Sequence, residues 1–242
     1  MRIGRRRFAP SFVATALTLA LCFGFVSLGR WQWDRGNLRE AQAAEFARGA
    51  DRVQPLGARG LETIPRFQRI GVSGHYDAQH QFLLDNRIHE AQAGYEVLTP
   101  LELTDGRVLL VNRGWVPFGG YRDRLPDISF TAHGPHEVTG RVDELPTAGL
   151  AQGRAAPPVH ASWPKLTSFP DREGLSAALG RKIEARILLL DPDAPDGYVR
   201  DWQPPGLSPL RHWSYAFQWW SFAAAALILW LVLSLRKEPE PA

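Results

Sequence analysis

One histidine stands at the start of an uncharged, aromatic-rich stretch near the C-terminus. His212 is followed by Tyr215, Ala216 and Trp219, and residues spaced by three and four positions share one face of a helix. A neutral imidazole on such a face can act as an axial ligand to haem iron, with the flat rings packing against a porphyrin. The positive end of a helix dipole and an apolar surrounding both disfavour the imidazolium form. The alternative is an interfacial histidine bonded to lipid headgroups or to its own loop.

Arginines near this histidine and near the end of an earlier apolar segment offer charges for a haem. Arg211 precedes the histidine, and Arg30 and Arg35 follow the first apolar segment. If both segment ends emerge on the same membrane side, these guanidinium groups can pair with haem propionates. The candidate site is therefore His212 as the axial iron ligand, with Tyr215, Trp219, Arg211 and Arg30 as further cofactor-binding residues.

Two segments are apolar and long enough to cross a membrane. Residues 8–29 and residues 213–235 contain no charged side chain. At about 1.5 Å per residue, a helix of either length spans a hydrocarbon core of roughly 30 Å. Ser208 followed by Pro209 predicts the N-cap and the first helical position of the second span. We predict transmembrane helices over residues 8–29 and 208–235.

Basic residues next to the chain termini predict the orientation of both spans. Arginines precede the first span and Arg236-Lys237 follow the second, which places the tails 1–7 and 236–242 in the cytoplasm. Residues 30–207 then lie outside the cytoplasm, in the periplasm of a Gram-negative bacterium. We expect a multi-pass protein of the bacterial inner membrane.

A cleaved signal peptide is the alternative interpretation of the first apolar segment. The basic start fits a signal peptide, but the apolar core ends without a small-residue cleavage site. Ala41-Gln42-Ala43 has the right pattern, yet it lies beyond the charged and tryptophan-rich residues 30–40. The sequence favours an uncleaved anchor.

The segment between the spans has the pattern of a β-rich domain. Asp105-Gly106 between apolar runs predicts a tight hairpin, residues 171–182 predict one short helix, and residues 143–170 predict a long surface loop. The expected fold is an α+β domain dominated by an antiparallel sheet or partly closed barrel. The predicted strands are 66–74, 81–85, 95–103, 107–111, 136–142 and 186–190.

Composition excludes several classes of protein. The chain has a single cysteine, Cys22, so one chain cannot form a disulfide or a paired-thiol metal site. The net charge is +3, but the excess of basic residues lies in the two tails, which argues against a nucleic-acid-binding face. The sequence contains no G-x-S-x-G nucleophile elbow, and we expect no enzymatic activity.

Six stretches, taken in order, resemble the surfeit locus protein one family, the assembly factors of haem–copper cytochrome c oxidase. Their order, with two terminal spans and an intervening domain, covers nearly the whole chain and makes the resemblance specific. The stretches are L-G-R-W-Q-W-D-R at 28–35, S-G-H-Y-D at 73–77, L-D-N-R at 84–87, T-P-L at 99–101, V-N-R-G-W-V-P at 111–117 and H-W-S-Y-A-F-Q-W at 212–219.

This resemblance implies a two-span membrane protein that binds haem a and aids its insertion into oxidase subunit one. The family pattern H-x-x-Y-A-x-x-W places the haem ligand at His212, with Tyr215 and Trp219 as companions. The implied partners are subunit one, other oxidase assembly or haem a synthesis proteins, and the lipid bilayer. Residues 112–115 are expected to determine the fold, with a partner-binding surface as the alternative.

Two other functions remain open at the level of sequence. The first is a cofactor-free membrane scaffold, or chaperone, that grips an oxidase subunit or another assembly factor. The second is an unrelated membrane-bound sensor or hydrolase. The absorption spectrum of the purified protein distinguishes the haem carrier from both.

Overall fold

The computed structural model describes residues 2–3, 6–49, 52–121, 124–131, 134–146, 157–204 and 206–237. The chain forms two compact units, which we call the helical unit (Met1–Ala44 with Pro204–Ala242) and the barrel unit (Glu45–Gln203). The elements are β1 (Arg2–Ile3), β2 (Arg6–Phe8), α1 (Phe12–Arg48), β3 (Gln54–Pro55), a 3-10 turn (Leu61–Thr63), β4 (Arg69–Tyr76), β5 (Phe82–His89), β6 (Gln92–Leu103), β7 (Val108–Pro117), β8 (His136–Asp143), β9 (Lys165–Thr167), α2 (Arg172–Leu179), β10 (Ile183–Leu190), α3 (Pro209–Ser234) and β11 (Leu235–Lys237).

Two of the described helices, α1 and α3, are long and apolar enough to cross a membrane. The predicted first span, 8–29, lies mostly within α1, which begins at Phe12 and continues to Arg48. No proline interrupts this stretch, so the helix passes through the end of the apolar segment without a break. Residues 30–48, predicted as part of the outer domain, are therefore the continuation of the first helix.

The second span follows its predicted bounds closely, with Pro209 in the first turn of α3. The predicted side-chain cap is absent, because Ser208 makes no capping hydrogen bond through its hydroxyl. The start of α1 and the end of α3 are tied by backbone pairing, with Leu235 of β11 opposite Phe8 of β2. The helices are therefore antiparallel within the helical unit.

The barrel unit is built on a closed ring of five strands. Going round the ring, the order is β4, β8, β10, β7 and β6, and β6 pairs back to β4. All neighbours are antiparallel except β7 and β10, which run parallel. Numbered in chain order, the ring reads 1-2-3-5-4 with strands three and five parallel, the arrangement of the five-stranded Greek-key barrel called the OB-fold. The predicted partly closed barrel is confirmed.

Apolar residues fill the barrel and a second layer outside it. Leu101, Val111 and Leu188 belong to the core cluster of the ring strands. On the other side, Phe82 of β5 and Leu175 of α2 join a second cluster. The strands β5 and β9 extend the sheet beyond β6, so two additional strands lie outside the ring of the barrel.

Two local predictions in the barrel unit are confirmed with small changes in bounds. The Asp-Gly turn connects β6 to β7, with Gly106 at φ +85° and the Leu103 amide bonded to the Arg107 carbonyl at 2.8 Å. The predicted helix 171–182 is the shorter α2, whose N-cap Asp171 accepts a hydrogen bond from the Gly174 amide. The predicted loop 143–170 contains the end of β8 and the strand β9, and its residues 147–156 lie outside the described part of the chain.

Candidate functional site

His212 lies in the first turns of α3 and is held by a residue of α1. Its Nδ1 lies 2.8 Å from Oε1 of Gln32. Because an amide oxygen only accepts hydrogen bonds, Nδ1 is the donor in this contact, and in the neutral imidazole the lone pair then lies on Nε2. No other hydrogen bond to His212 is found among the residues that the structure describes. The imidazole is therefore oriented through one nitrogen and free to coordinate through the other.

Gln32 is the residue of this site that sequence reasoning missed. It lies between Trp31 and Trp33. Tryptophans at the end of a membrane span commonly belong to an interfacial aromatic belt, so the pattern of this segment gives no reason to assign Gln32 a role. The sequence feature that could have indicated Gln32 is its position. Gln32 lies just after the first apolar segment, and His212 lies at the start of the second. In an antiparallel helix pair, two such positions lie at the same level.

Two glycines of α1 receive tryptophan rings of α3 on either side of Gln32. Both Gly29 and Gly36 are buried, and a Cβ at either position would overlap the indole of Trp220 or Trp213 respectively. Small residues at a helix contact let the partner side chain approach the backbone, as in other membrane helix pairs. These two contacts fix the axial register of α1 against α3 at the level of His212.

The same seam continues towards the other end of the helices. The thiol of Cys22 lies 3.6 Å from the Ala223 carbonyl, and Trp230 Nε1 donates to Thr15 Oγ1 at 3.0 Å. On α1, the contacting positions repeat every seven residues, which is the period of a left-handed helix pair. They are Thr15, Cys22, Gly29 and Gly36.

The predicted aromatic companions of His212 occupy two different environments. Ala216, one turn along α3, is fully buried in the helix contact. Trp219 is half-buried and stacks on Phe25 of α1, with ring centroids 5.8 Å apart and planes 22° from parallel. Tyr215 remains 50% exposed. Trp219 therefore packs the helix pair, while Tyr215 presents an open ring beside the histidine.

The predicted arginines lie at the surface of the helical unit. Arg30 and Arg211 are both exposed, and neither forms an ion pair with a described residue. Arg35 lies over the Trp31 ring, 5.7 Å from its centroid. Arg30 and Arg211 can therefore reach an external carboxylate without first breaking an internal ion pair.

Arg113, in the V-N-R-G-W-V-P stretch, is buried in the barrel unit. The side chain is 2% exposed, its Nε donates to the Asp196 carbonyl at 2.7 Å, and its guanidinium lies 3.7 Å from the Phe130 ring centroid. Burial lowers the pKa of Arg113, and burial likewise raises the pKa of the neighbouring Tyr76. The arginine thus links core strands to a surface loop.

Neighbouring motif residues join two of the stretches that carried the family resemblance. Asn112 donates to Glu96 at 2.7 Å and accepts from the Gly114 amide at 3.1 Å. Trp115 Nε1 donates to the Arg87 carbonyl at 3.2 Å, which ties L-D-N-R to V-N-R-G-W-V-P. These contacts support the expectation that residues 112–115 determine the fold.

The described residues hold no cluster of three or more histidine, cysteine, aspartate or glutamate side chains that could bind a metal ion. A metal at His212 would accordingly have fewer than three such protein ligands within the described part of the chain. That arrangement suits a porphyrin, which itself supplies four nitrogen ligands to iron. The donor set therefore fits a haem and does not fit a protein-only metal site.

Two apolar helices flanking a β-barrel unit define a membrane protein. The sequence matches the SURF1 family over residues 19–224, most of its length, and the chain belongs to that family. A SURF1-like protein of Monosiga brevicollis is 28% identical over 230 residues, covering 85% of this chain and 82% of the relative. A SURF1-like protein of Rickettsia bellii (strain RML369-C) is 22% identical over 226 residues, covering 90% of both chains. The family is associated with cytochrome oxidase assembly.

Proposed function

We propose that this protein is an oxidase assembly factor that holds haem a at His212 and aids its insertion into oxidase subunit one. The observation that carries this proposal is the hydrogen bond between His212 Nδ1 and Gln32 Oε1, which leaves Nε2 as a free lone pair. Metal-bound histidines characteristically donate their second nitrogen to such an acceptor. The free protein already has this arrangement.

Each residue of the site has a separate task in this proposal. His212 Nε2 would hold the haem iron, Gln32 orients the imidazole ring, and Tyr215 offers an exposed aromatic surface beside it. Arg30 and Arg211 pair with carboxylates of the cofactor through their exposed guanidinium groups. When bound, the haem would supply an iron that accepts a nitrogen ligand and two propionate carboxylates that pair with arginines. The protein binds and transfers the cofactor and performs no catalysis on it.

The proposed site lies at the outer face of the membrane. Both termini are proposed to lie in the cytoplasm, because basic residues precede α1 and follow α3. The start of α3 and the barrel unit then lie on the periplasmic side of a bacterial inner membrane. Subunit one and haem a synthesis proteins are the proposed partners there.

The test is the absorption spectrum of the full-length protein purified from cells that also make haem a. We expect a Soret band that is lost or shifted in His212→Ala and unchanged in His160→Ala. His160 is an exposed histidine of the barrel unit and serves as the matched control. A normal haem spectrum in His212→Ala would contradict the ligand assignment. Oxidase that keeps its haem but loses subunit association in a deletion strain would favour the cofactor-free scaffold.

A further inference from the structure

We propose that Gln32 is a positioning residue, which selects the tautomer of His212 and keeps it a moderate electron donor. The role towards iron rests on the proposed function. The tautomer itself is a property of the free protein, because the contact that sets it joins two side chains of this chain.

The hydrogen bond determines which nitrogen is available. A neutral histidine in water favours the tautomer protonated at Nε2, which leaves the lone pair on Nδ1, beside the main chain. With Gln32 Oε1 at 2.8 Å from Nδ1, the proton is held on Nδ1 instead. The outer nitrogen, Nε2, is then the one that can coordinate. Gln32 thereby removes the free-energy cost of changing tautomer when iron binds.

The packing around Gln32 shows that this contact is built into the helix pair. Gln32 lies three residues after Gly29 and four residues before Gly36, so all three share one face of α1. The indoles of Trp220 and Trp213 lie directly against those two glycines. The amide is therefore placed opposite His212 by contacts on both sides of it, and it is half-buried there.

A neutral amide differs in its effect from a carboxylate at the same place. A carboxylate acceptor draws the Nδ1 proton towards itself and makes the imidazole a stronger donor to iron. An amide fixes the ring orientation with much less of this effect. A protein that hands its cofactor on needs an oriented ligand whose bond to iron can still be broken. Glutamine meets both requirements.

The first experiment measures the tautomer without any cofactor. Full-length protein labelled with ring ¹⁵N-histidine is placed in lipid nanodiscs, and the His212 signals are identified by their loss in His212→Ala. We expect an Nδ1-protonated ring in the wild type and in Gln32→Glu, and an Nε2-protonated or mixed ring in Gln32→Leu. Gln218→Leu, at an exposed position of α3, is the matched control and should leave the signals unchanged. An unchanged tautomer in Gln32→Leu would overturn the proposal.

The second experiment uses haem a as the probe. Loss of an outer acceptor to a metal-bound histidine weakens binding by about 10-fold to 100-fold, and we expect Gln32→Leu to lie in this range. Gln32→Glu should release haem a more slowly than the wild type and have a lower reduction potential. A changed tautomer with unchanged haem a affinity in Gln32→Leu would overturn the positioning role. Failure of the ligand assignment appears separately, as a normal spectrum in His212→Ala.

Discussion

The indole of Trp220 lies against the backbone of Gly29, in the space that any larger side chain at position 29 would occupy. This contact joins the later part of α1 to α3, three residues before Gln32. Gly29 belongs to the stretch L-G-R-W-Q-W-D-R, whose tryptophans have the pattern of an interfacial belt. In the structure this stretch also forms part of the contact between the two helices. A glycine on one helix and a tryptophan on the other set the level at which Gln32 meets His212.

The pairing of α1 and α3 can be tested by a single disulfide. Cys22 is the only cysteine and lies beside the Ala223 carbonyl, so Ala223→Cys creates one pair of thiols across the seam. We expect oxidation to link the helices within one chain, seen on a gel after cleavage at a protease site inserted between them. Ala224→Cys, whose side chain is exposed, should not form this link. Equal yields from both variants would contradict the helix register.

Enlarging the buried glycine should weaken the helix pair. We expect Gly29→Leu to destabilise the pair by about 1–3 kcal/mol, because the new side chain must displace the Trp220 ring or separate the helices. The yield of the disulfide that Cys22 forms in the Ala223→Cys background reports this loss. Gly24→Leu is the matched control, since no atom lies near an added Cβ at that position. A Gly29→Leu protein that cross-links as well as the control would count against the close packing.

Removing Arg113 should destabilise the barrel unit. Arg113→Ala leaves the Asp196 carbonyl without its Arg113 donor and removes one of the two donors to Gln81 Oε1, since the Thr99 hydroxyl remains. It also creates a cavity beside Phe130. We expect the free energy of unfolding to fall by about 2–5 kcal/mol. The cavity and the unpaired Asp196 carbonyl cost more than is gained by no longer burying the charge of Arg113. Denaturant unfolding of the full-length protein in detergent measures it. The exposed Arg124→Ala should change stability by less than about 0.5 kcal/mol.

The stability of the barrel unit should fall at alkaline pH. Burial raises the pKa of Tyr76 above its ordinary value of 10.0, so the folded protein keeps a proton that the unfolded chain loses. This stabilisation is fully present below pH 10.0 and decreases as pH rises further, by up to about 1.4 kcal/mol per pH unit. Tyr76→Phe should reduce the slope of unfolding free energy against pH.

The control for this titration is Tyr121→Phe, since Tyr121 is exposed. Some alkaline slope should persist in Tyr76→Phe, because burial also raises the pKa of Tyr198. Ultraviolet absorbance of tyrosinate, followed together with unfolding, assigns the proton loss. An unchanged slope in Tyr76→Phe would show that another group dominates the pH dependence.

Sequence patterns with a short range were sufficient for much of the fold. The uncharged runs predicted two membrane helices, Asp105-Gly106 predicted the β6–β7 turn, and strand periodicity predicted a β-rich domain. These features depend on interactions between residues a few positions apart, or on the hydrophobicity of one segment. The family resemblance, which the match over residues 19–224 confirms, related the chain to a family associated with cytochrome oxidase assembly.

Tertiary structure decided the contacts that complete the site and close the barrel. Gln32 and His212 are 180 positions apart, and the parallel pairing of β7 with β10 joins strands that residues 118–182 separate along the chain. No local propensity specifies such pairs, because each side chain alone is equally compatible with several partners. Their meeting depends on buried glycines, ring packing and strand order acting together. The sequence by itself determined which segments form helices and strands and which histidine to test, while the folded chain determined which nitrogen of that histidine is free.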